Sequence, residues 1–464
     1  KGKIILDNGA YIPYGLLLSF TTITPLPGPY KVLALDITQD VVFTNTITNS
    51  PVRGAGRPNA AYAMERVIET VARFLKLEPA EVRRRNFIHK DDFPYQTGLI
   101  HFNGRPMIYD SGDYHSLLEK ALELSDYDGF ALRQKTAREE GRFLGIGISS
   151  CIEDTGVGPY EGVTVRVDPL GKIYVSSGAA SQGQGHKTIL RQIVADELHV
   201  HIDDIHVEIG DTAKFPQGVG TVASRVGVNI GTAAFSAATS VRKKALNLAA
   251  DLLGSECDDL EIEDGIIRDK GKRNITISLG ELALKLAPMS GGAIPEGHTA
   301  SLESTSYDSS KGLAHASGSN VCEVEVDTGT GEVKLLNYCV AHDCGKKINP
   351  MIVEGQIIGG VVHGIGNALF EEMIYDDNGQ PQTTNYGEYL LPLATEMPPI
   401  HIVHQETPSP LNPLGLKGAG EAGTIPAAGA VVAAIENALK EFNVVINKYP
   451  VTPQYLCDLI DAGK

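Results

Sequence analysis

Apolar and polar positions alternate in two early stretches of this chain. "KGKIILDNGAY" and "YKVLALDITQDVVFTNT" are rich in Ile, Val and Thr and read as strands. "PVRGAGRPN" interrupts that pattern with Gly and Pro, and the spacing then changes to that of a helix. In "AAYAMERVIETVARFLKL" the residues Ala61, Met64, Val67, Ile68, Val71 and Leu75 are expected on one apolar face. The same unit, a glycine-bearing loop running into a helix, recurs along the chain. "IYVSSGAASQGQGHKTILRQIVADELHV" predicts a strand, a glycine-rich turn and a helix. "GTVASRVGVNIGTAAFSAATSVRKKALNLAADLLG" predicts a polar loop and a long helix. "CEVEVDTGTGEVKLLNYCVAHD" predicts a β-hairpin, and "INPMIVEGQIIGGVVHGIGNALFEEMIY" a glycine-spaced helix. "GEAGTIPAAGAVVAAIENALKEF" closes the series with another loop and helix. No internal repeat of fixed period is visible. The expected class is α/β, mixed α and β, with several loop–helix junctions facing one site.

Length and composition sharpen this picture. The 464 residues exceed one compact core; domains of about 100–200 residues imply roughly two to four. The polar stretch "SDYDGFALRQKTAREEGR" suggests a division into residues 1–125 and 140–464, the second part holding two α/β subdomains. A hydrophobic fraction of 42% with 21% charged residues is that of a soluble globular protein. The net charge of −17 argues against nucleic acid or anionic lipid as partner. The apolar run "IIGGVVHGIGNALF" is broken by His363 and Asn367, so no membrane span is expected. The chain opens on Lys1-Gly2-Lys3 without a visible signal peptide, which reads as mid-protein sequence. The six cysteines form neither a C-x-x-C pair nor an iron–sulfur spacing. Buried thiols in a reducing cytoplasm are the expectation.

Four loops carry candidate chemistry. In "SQGQGH", Gly183 and Gly185 let backbone approach a ligand ahead of a helix N-terminus, where anions bind. Gln182 and Gln184 add donors and acceptors. A tight strand–helix turn with solvated glutamines accounts for that spacing equally well. In "PVRGAGRP", Arg53 and Arg57 are placed to clamp phosphate or carboxylate bidentately, or to sit solvated on a loop. "TVASR" supplies small hydroxyls and backbone amides and carries little alone. In "GLKGAGEAG", Glu421 stands among Gly418, Gly420 and Gly423. An acidic residue near a helix start is the ordinary reading. Three flanking glycines suggest instead a carboxylate that a ligand approaches closely, a general base whose pKa desolvation would raise. None of these loops holds the Cys/His/Asp set that would ligate a metal directly.

Taken in order, "VRGAGRP", "GQGHKT", "GTVASR", "DCGKKINPMIVEGQIIGGVVHGIG" and "KGAGEAG" resemble the motifs of the molybdenum-cofactor-binding large subunit of the xanthine oxidase family of molybdenum hydroxylases. The resemblance covers essentially the whole chain. It implies elongated α/β molybdopterin-binding domains around one buried cofactor, with 1–125 the remainder of the first domain and 140–464 the second. It implies a molybdenum–molybdopterin cofactor, in bacterial relatives the cytosine dinucleotide form, whose own dithiolene ligates the metal. Glu421 then matches the catalytic glutamate, the base in delivery of a water-derived oxygen to an electron-poor carbon of an N-heteroaromatic substrate or an aldehyde. Gln184 matches the glutamine beside the metal, and Arg53 the arginine of the substrate-facing loop. Gly183, Gly185, His186, Thr188, Ala223 and Ser224 fall at pterin and nucleotide contacts. Gly54, Ala55, Gly56, Arg57, Gln182, Thr221, Arg225, Gly418 and Gly420 complete the implied cofactor set.

The chain departs from the family pattern in three places. The Gly-Gly-x-Phe-Gly loop near the metal is absent, which implies half of a split large subunit, or a fragment, completed by another chain. The "VRGAGRP" loop lacks the copper-holding cysteine of aerobic carbon monoxide dehydrogenases. His363 and "YGEY" at 386–389 replace a glutamine and an aspartate–tyrosine pair. The family further implies partner subunits carrying a 2Fe-2S cluster and FAD. Competing readings are a non-catalytic assembly scaffold, a carbon monoxide dehydrogenase-like protein without copper, and an NAD-dependent dehydrogenase. For the last, no strand–GxGxxG–helix is present.

Overall fold

A computed structural model of the chain describes residues 1–12, 14–272, 275–288, 293–308 and 311–463. Strands β1 (Gly2–Asp7) and β2 (Ile37–Val42) flank helix α1 (Gly15–Ile23). Helices α2 (Arg57–Leu75) and α3 (Pro79–Asn86) lead into the hairpin β3 (Tyr95–Ile100) and β4 (Pro106–Tyr109), then α4 (Tyr114–Leu124) and α5 (Tyr127–Glu139). Next come β5 (Phe143–Thr155), β6 (Glu161–Val167), β7 (Ile173–Ser177), α6 (His186–Leu198), β8 (Ile205–Ile209) and the long α7 (Val226–Leu253). A small sheet of β9 (Leu260–Glu263), β10 (Ile266–Asp269) and β11 (Thr276–Ser278) precedes α8 (Leu279–Leu286) and β12 (Glu303–Asp308). The chain ends with β13 (Ala314–Val326), β14 (Val333–Asp343), α9 (Pro350–Leu369), β15 (Ile400–Gln405), α10 (Ala427–Ala438) and α11 (Pro453–Gly463).

Two four-stranded sheets form the frame, ordered β15-β14-β13-β5 and β12-β6-β7-β8. In the first, β14 and β15 are parallel and the other pairs antiparallel; in the second, only β7 and β8 are parallel. Apolar residues of β6 and β7 such as Val163, Val165 and Ile173 pack with Leu190 of α6 and Ile230 and Ala234 of α7. The first sheet is covered on both faces. Val324 and Val340 meet Ile357 of α9 and Val431 and Ile435 of α10, while Ile148 and Ile152 of β5 meet Leu117, Leu118 and Ala121 of α4. Coverage on both faces explains why β5 is buried almost continuously rather than at alternate positions. α10 lies so close to it that a Cβ on Gly145 or Gly147 would enter the α10 backbone.

The predicted hairpin of β13 and β14, and the helices after each glycine-rich loop, are present. Two expectations need correction. Only residues 37–42 of the second predicted strand pair in a sheet. Tyr30 forms an isolated bridge with Phe87 instead; its ring enters a third core, shared with Leu117 and Ile148, and its hydroxyl donates to Glu65. On α2 the expected face is rotated. Ala61, Glu65, Ile68 and Ala72 are buried, whereas Val67, Val71 and Leu75 are exposed. The buried Glu65 is the cause: it is held by Tyr30 and by Arg83 at 2.6 Å, so a charge lies inside and aliphatic residues outside. The polar stretch 125–142 contains α5, whose Phe130 and Ala137 enter the third core. No helix among the described residues is long and apolar enough to cross a membrane.

Candidate functional site

The loops singled out in the sequence converge where β5 ends. Thr155, its last residue, receives the Gly418 N–H on Oγ1 at 3.0 Å. The preceding Asp154 takes Arg57 bidentately, Nε to Oδ1 at 2.7 Å and Nη2 to Oδ2 at 2.8 Å. Arg57 then extends Nη1 to Glu421 Oε2 at 3.2 Å. The Glu421 backbone N–H donates to Ser224 Oγ at 2.9 Å. Arg53 donates to the carbonyls of Gly420 at 2.6 Å and Gln356 at 2.7 Å. Glu421 is thus fixed from both sides, with Oε2 engaged and Oε1 accepting no hydrogen bond from the described residues.

Arg57 is the carboxylate clamp that its loop allowed, but the carboxylates are internal. Its side chain is 1% exposed, so it is not a solvent-facing phosphate clamp. Burial works against its charge, and Asp154 and Glu421 more than offset that, holding the guanidinium charged above its ordinary range. Burial likewise opposes the charge of Asp154, yet Arg57 and His101 hold its carboxyl well below the usual range. Arg225 is equally occupied. It is buried against Glu161 and donates to the carbonyls of Tyr160 and Gly220. Glu161 in turn accepts the N–H groups of Val219 and Gly220 at 3.1 and 3.2 Å, so this pair shapes the 217–225 loop. Arg53 is more open, and burial lowers its pKa.

The glycines around Glu421 have an internal reason. A Cβ on Gly418 would strike the Ser224 carbonyl, and one on Gly423 the Ile357 carbonyl, with Gly360 Cα at 3.0 Å. The loop needs them to lie against Ser224 and α9. Their neighbours carry backbone strain. Ala55, Ala223 and Ser224 have φ of 51°, 49° and 47°, left-handed values that cost of order 1–3 kcal/mol at non-glycine residues. Gly54, at φ 98°, and Gly56 complete the turn, and the Gly56 N–H donates to Thr21 Oγ1 at 3.0 Å.

The 181–188 segment adjoins this cluster. Thr221 Oγ1 bonds the Ala180 carbonyl, and a Cβ on Gly185 would meet Ile352 Cδ1 of α9 at 2.7 Å. Gly185 is therefore a packing glycine. Gly183, with φ 109°, would place a Cβ in open space. Gln184 folds onto its own loop, its Oε1 accepting the Gln182 N–H at 2.6 Å, and makes no bond to Glu421. Gln182 and Thr188 are exposed. The His186 imidazole is buried and its pKa is pushed down to about 4 by burial, so it is neutral at physiological pH. α2, α6, α7 and α10, the helices that leave these loops, begin without a side-chain cap, as do α1 and α5, whereas α3, α4, α8 and α9 are capped by side chains. Uncapped N-termini beside open glycine backbone suit phosphate and pterin oxygens. Among the described residues no group of three His, Cys, Asp or Glu could hold a metal ion, so a metal here needs ligands from a cofactor.

Sequence reasoning passed over Glu153, Asp154, Glu161 and Gln356. The available signal was "EDTG": adjacent acids ending an apolar strand at a glycine. Of the family departures, His363 is largely buried, with its pKa lowered by burial, and Tyr389 donates to Glu371 at 2.7 Å.

Comparison with known proteins bears on the family of the chain. Residues 1–87 and 120–398 each match a family described as molybdopterin cofactor-binding domain. The chain is 36% identical to the gamma subunit of the 6-hydroxypseudooxynicotine dehydrogenase complex of Paenarthrobacter nicotinovorans, over 98% of this chain and 57% of that protein. It is 34% identical to the nicotine 6-hydroxylase large subunit of the same organism, over 97% of this chain and 56% of that one. The crystal structure of quinoline 2-oxidoreductase from Pseudomonas putida 86 superposes with a TM-score of 0.91 at 38% identity, covering 98% of this chain and 59% of that one. The chain thus spans little more than half the length of these relatives. With two matched cofactor-binding domains and this superposition, the chain belongs to the molybdopterin cofactor-binding domain family, with the architecture of the xanthine oxidase family of molybdenum hydroxylase large subunits.

Proposed function

We propose that this chain builds most of the molybdenum site of an oxidoreductase that hydroxylates an electron-poor ring carbon of an N-heteroaromatic substrate. The observation that carries the reading is Glu421. Its carboxylate is anchored through one oxygen and its backbone, and the other oxygen is left without a donor. Such a group can take a proton at Oε1 without moving. Relatives named for nicotine and quinoline favour a heteroaromatic ring over an aldehyde. No cysteine stands at 51–58 to hold copper, which disfavours carbon monoxide.

A molybdenum–molybdopterin cofactor, in the cytosine dinucleotide form, would supply the oxidising equivalents and a water-derived oxygen. The 182–188 segment, the 221–225 turn and the backbone at 418–420 would hold it. Open space at Gly183 and the uncapped helix starts fit that group. Arg53 orients the Gly420 carbonyl and α9, and Arg57 orients Glu421. Iron–sulfur and flavoprotein subunits, together with a segment carrying the rest of the first molybdopterin-binding domain, complete the assembly. A cytoplasmic location accords with this assembly.

The test is turnover of quinoline and nicotine by the assembled complex in isotopically labelled water. Label in a ring-hydroxylated product, lost in Glu421→Gln, is expected. Product oxygen derived from dioxygen, or full activity in Glu421→Gln, would overturn the reading.

A further inference from the structure

Glu153 lies on β5 between Ile152 and the Arg57-bound Asp154, and its carboxyl is 1% exposed. Neither carboxyl oxygen has a hydrogen-bond partner in good geometry. The Ser224 hydroxyl, which already accepts the Glu421 N–H, is the neighbouring group able to donate to it. Charged and titratable groups reach Glu153 from α2, from two loops and from its own strand. Arg57 approaches from α2, Arg53 and Glu421 from the flanking loops, and Asp154 and the Cys151 thiol from its own strand. Two cations therefore face two carboxylates, Asp154 and Glu421, and charge is already balanced. A third buried anion would exceed those two cations, with only the Ser224 hydroxyl placed to donate to it, which proteins avoid.

We propose that Glu153 is a positioning residue held as the neutral acid, so that it and Glu421 together carry one negative charge, and that charge resides on Glu421. This rests on the reading of Glu421 as the base. Two carboxyl groups in one buried site divide in this way because both cannot ionise at low cost. Burial first, and then the Glu421 charge, push the Glu153 carboxyl well above the usual range. A neutral Glu153 lets Glu421 remain the available base without a competing anion beneath it. Deprotonating Glu153 would add an uncompensated charge and disturb the Arg57–Glu421 contact.

A folded pKa above the unfolded one stabilises the fold below the unfolded value, and this is lost as pH rises through the folded value. Glutamine at 153 keeps the neutral shape and does not titrate. The experiment uses the assembled, metal-loaded complex with Glu153→Gln, Glu153→Asp and Glu421→Gln. Infrared spectra at neutral pH should show a protonated-carboxyl stretch that disappears in Glu153→Gln, shifts in Glu153→Asp and persists in Glu421→Gln. Turnover of Glu153→Gln should stay within about tenfold of wild type, against a loss of roughly 10²-fold or more for Glu421→Gln. Its thermal midpoint should fall less than that of wild type on going to alkaline pH. Absence of the band in wild type, or a loss in Glu153→Gln as large as in Glu421→Gln, overturns the proposal. If Glu153→Gln does not assemble, the wild-type band and its shift in Glu153→Asp still decide. The band reads Glu153 alone. An active Glu421→Gln sinks the base assignment and leaves the protonation state of Glu153 standing.

Discussion

Arg57 Nη1 lies 3.2 Å from Glu421 Oε2 while its other nitrogens grip Asp154, so one buried guanidinium ties strand β5 to the loop that presents the candidate base. Removing it leaves the buried Asp154 without its guanidinium, facing His101 alone at 3.4 Å. Breaking a buried pair by deleting one partner costs about 3–5 kcal/mol. Arg57→Met should therefore lower the thermal midpoint of the assembled complex strongly and reduce turnover. Arg57→Lys should rescue little, because a lysine cannot make the two-point contact to Asp154. A midpoint within a degree of wild type in Arg57→Met would contradict this.

Glu421→Gln separates chemistry from structure. Glutamine preserves size and the backbone contact to Ser224 but cannot accept a proton. Metal content should stay near normal while turnover drops by about 10²–10⁴. Metal analysis beside steady-state rates checks both halves. Turnover above a tenth of the wild-type rate would remove Glu421 from the role of base.

The pH dependence of stability follows from Asp154. Its folded carboxyl lies below the ordinary value of about 3.9. A depressed pKa contributes stability above the unfolded value, and that stability drains as pH falls through the folded one. The stability gap between wild type and Asp154→Asn should accordingly be wide at neutral pH and narrow on acidification below about pH 4. Unfolding midpoints across that range test it. A gap that does not change with pH would assign the contribution to packing.

Two glycines in one motif should behave differently. A Cβ at Gly183 meets no heavy atom within 4 Å, so apart from strain at φ 109° a valine there extends into space where a ligand would lie. Cofactor occupancy should fall with little loss of folded protein. Valine at Gly185 drives into Ile352, 2.7 Å from the new Cβ, and should destabilise the α6–α9 contact. Metal content and thermal midpoint, measured together for both variants, separate the effects. Equal loss of stability in both would argue against a cradle at Gly183.

These contrasts show where sequence reading works. Loop–helix junctions are legible because glycine-rich turns and apolar helix periods are local signals. β13 and β14 were legible because their turn is short. The ion pairs were not, since Arg57 meets Asp154 across 97 residues and Glu421 across 364, and no spacing rule reports that. The same limit misled the reading of α2. A buried Glu65 is allowed by Tyr30 and Arg83, partners that an apolar period cannot reveal. Nor could the sequence tell that Gly418 and Gly423 serve backbone contacts with Ser224 and α9, because a glycine-rich string looks alike for an internal approach and for a ligand.

The last prediction concerns assembly. β1 and β2 form a parallel sheet of two strands, with no further strand beside either among the described residues. A two-stranded sheet is marginal alone, and parallel pairs belong in larger covered sheets. The surrounding surface is apolar: Ile5 is 65% exposed, Tyr11 75%, Tyr14 63% and Phe43 54%. Open edges beside exposed aromatics invite association. These features suit a segment that extends the sheet. Electrons leaving a reduced cofactor also need carriers. None of the six cysteines is paired in a disulfide, and the described residues hold no cluster of metal-binding side chains. An iron–sulfur subunit should therefore co-purify in equal amount from the source, with a flavoprotein beside it. The chain expressed alone should be insoluble or free of molybdenum. Co-expression with a chain that extends the β1–β2 sheet should restore both solubility and metal. Size-exclusion chromatography with metal analysis reads the outcome, and a monodisperse, molybdenum-loaded, active product from this chain alone would refute it.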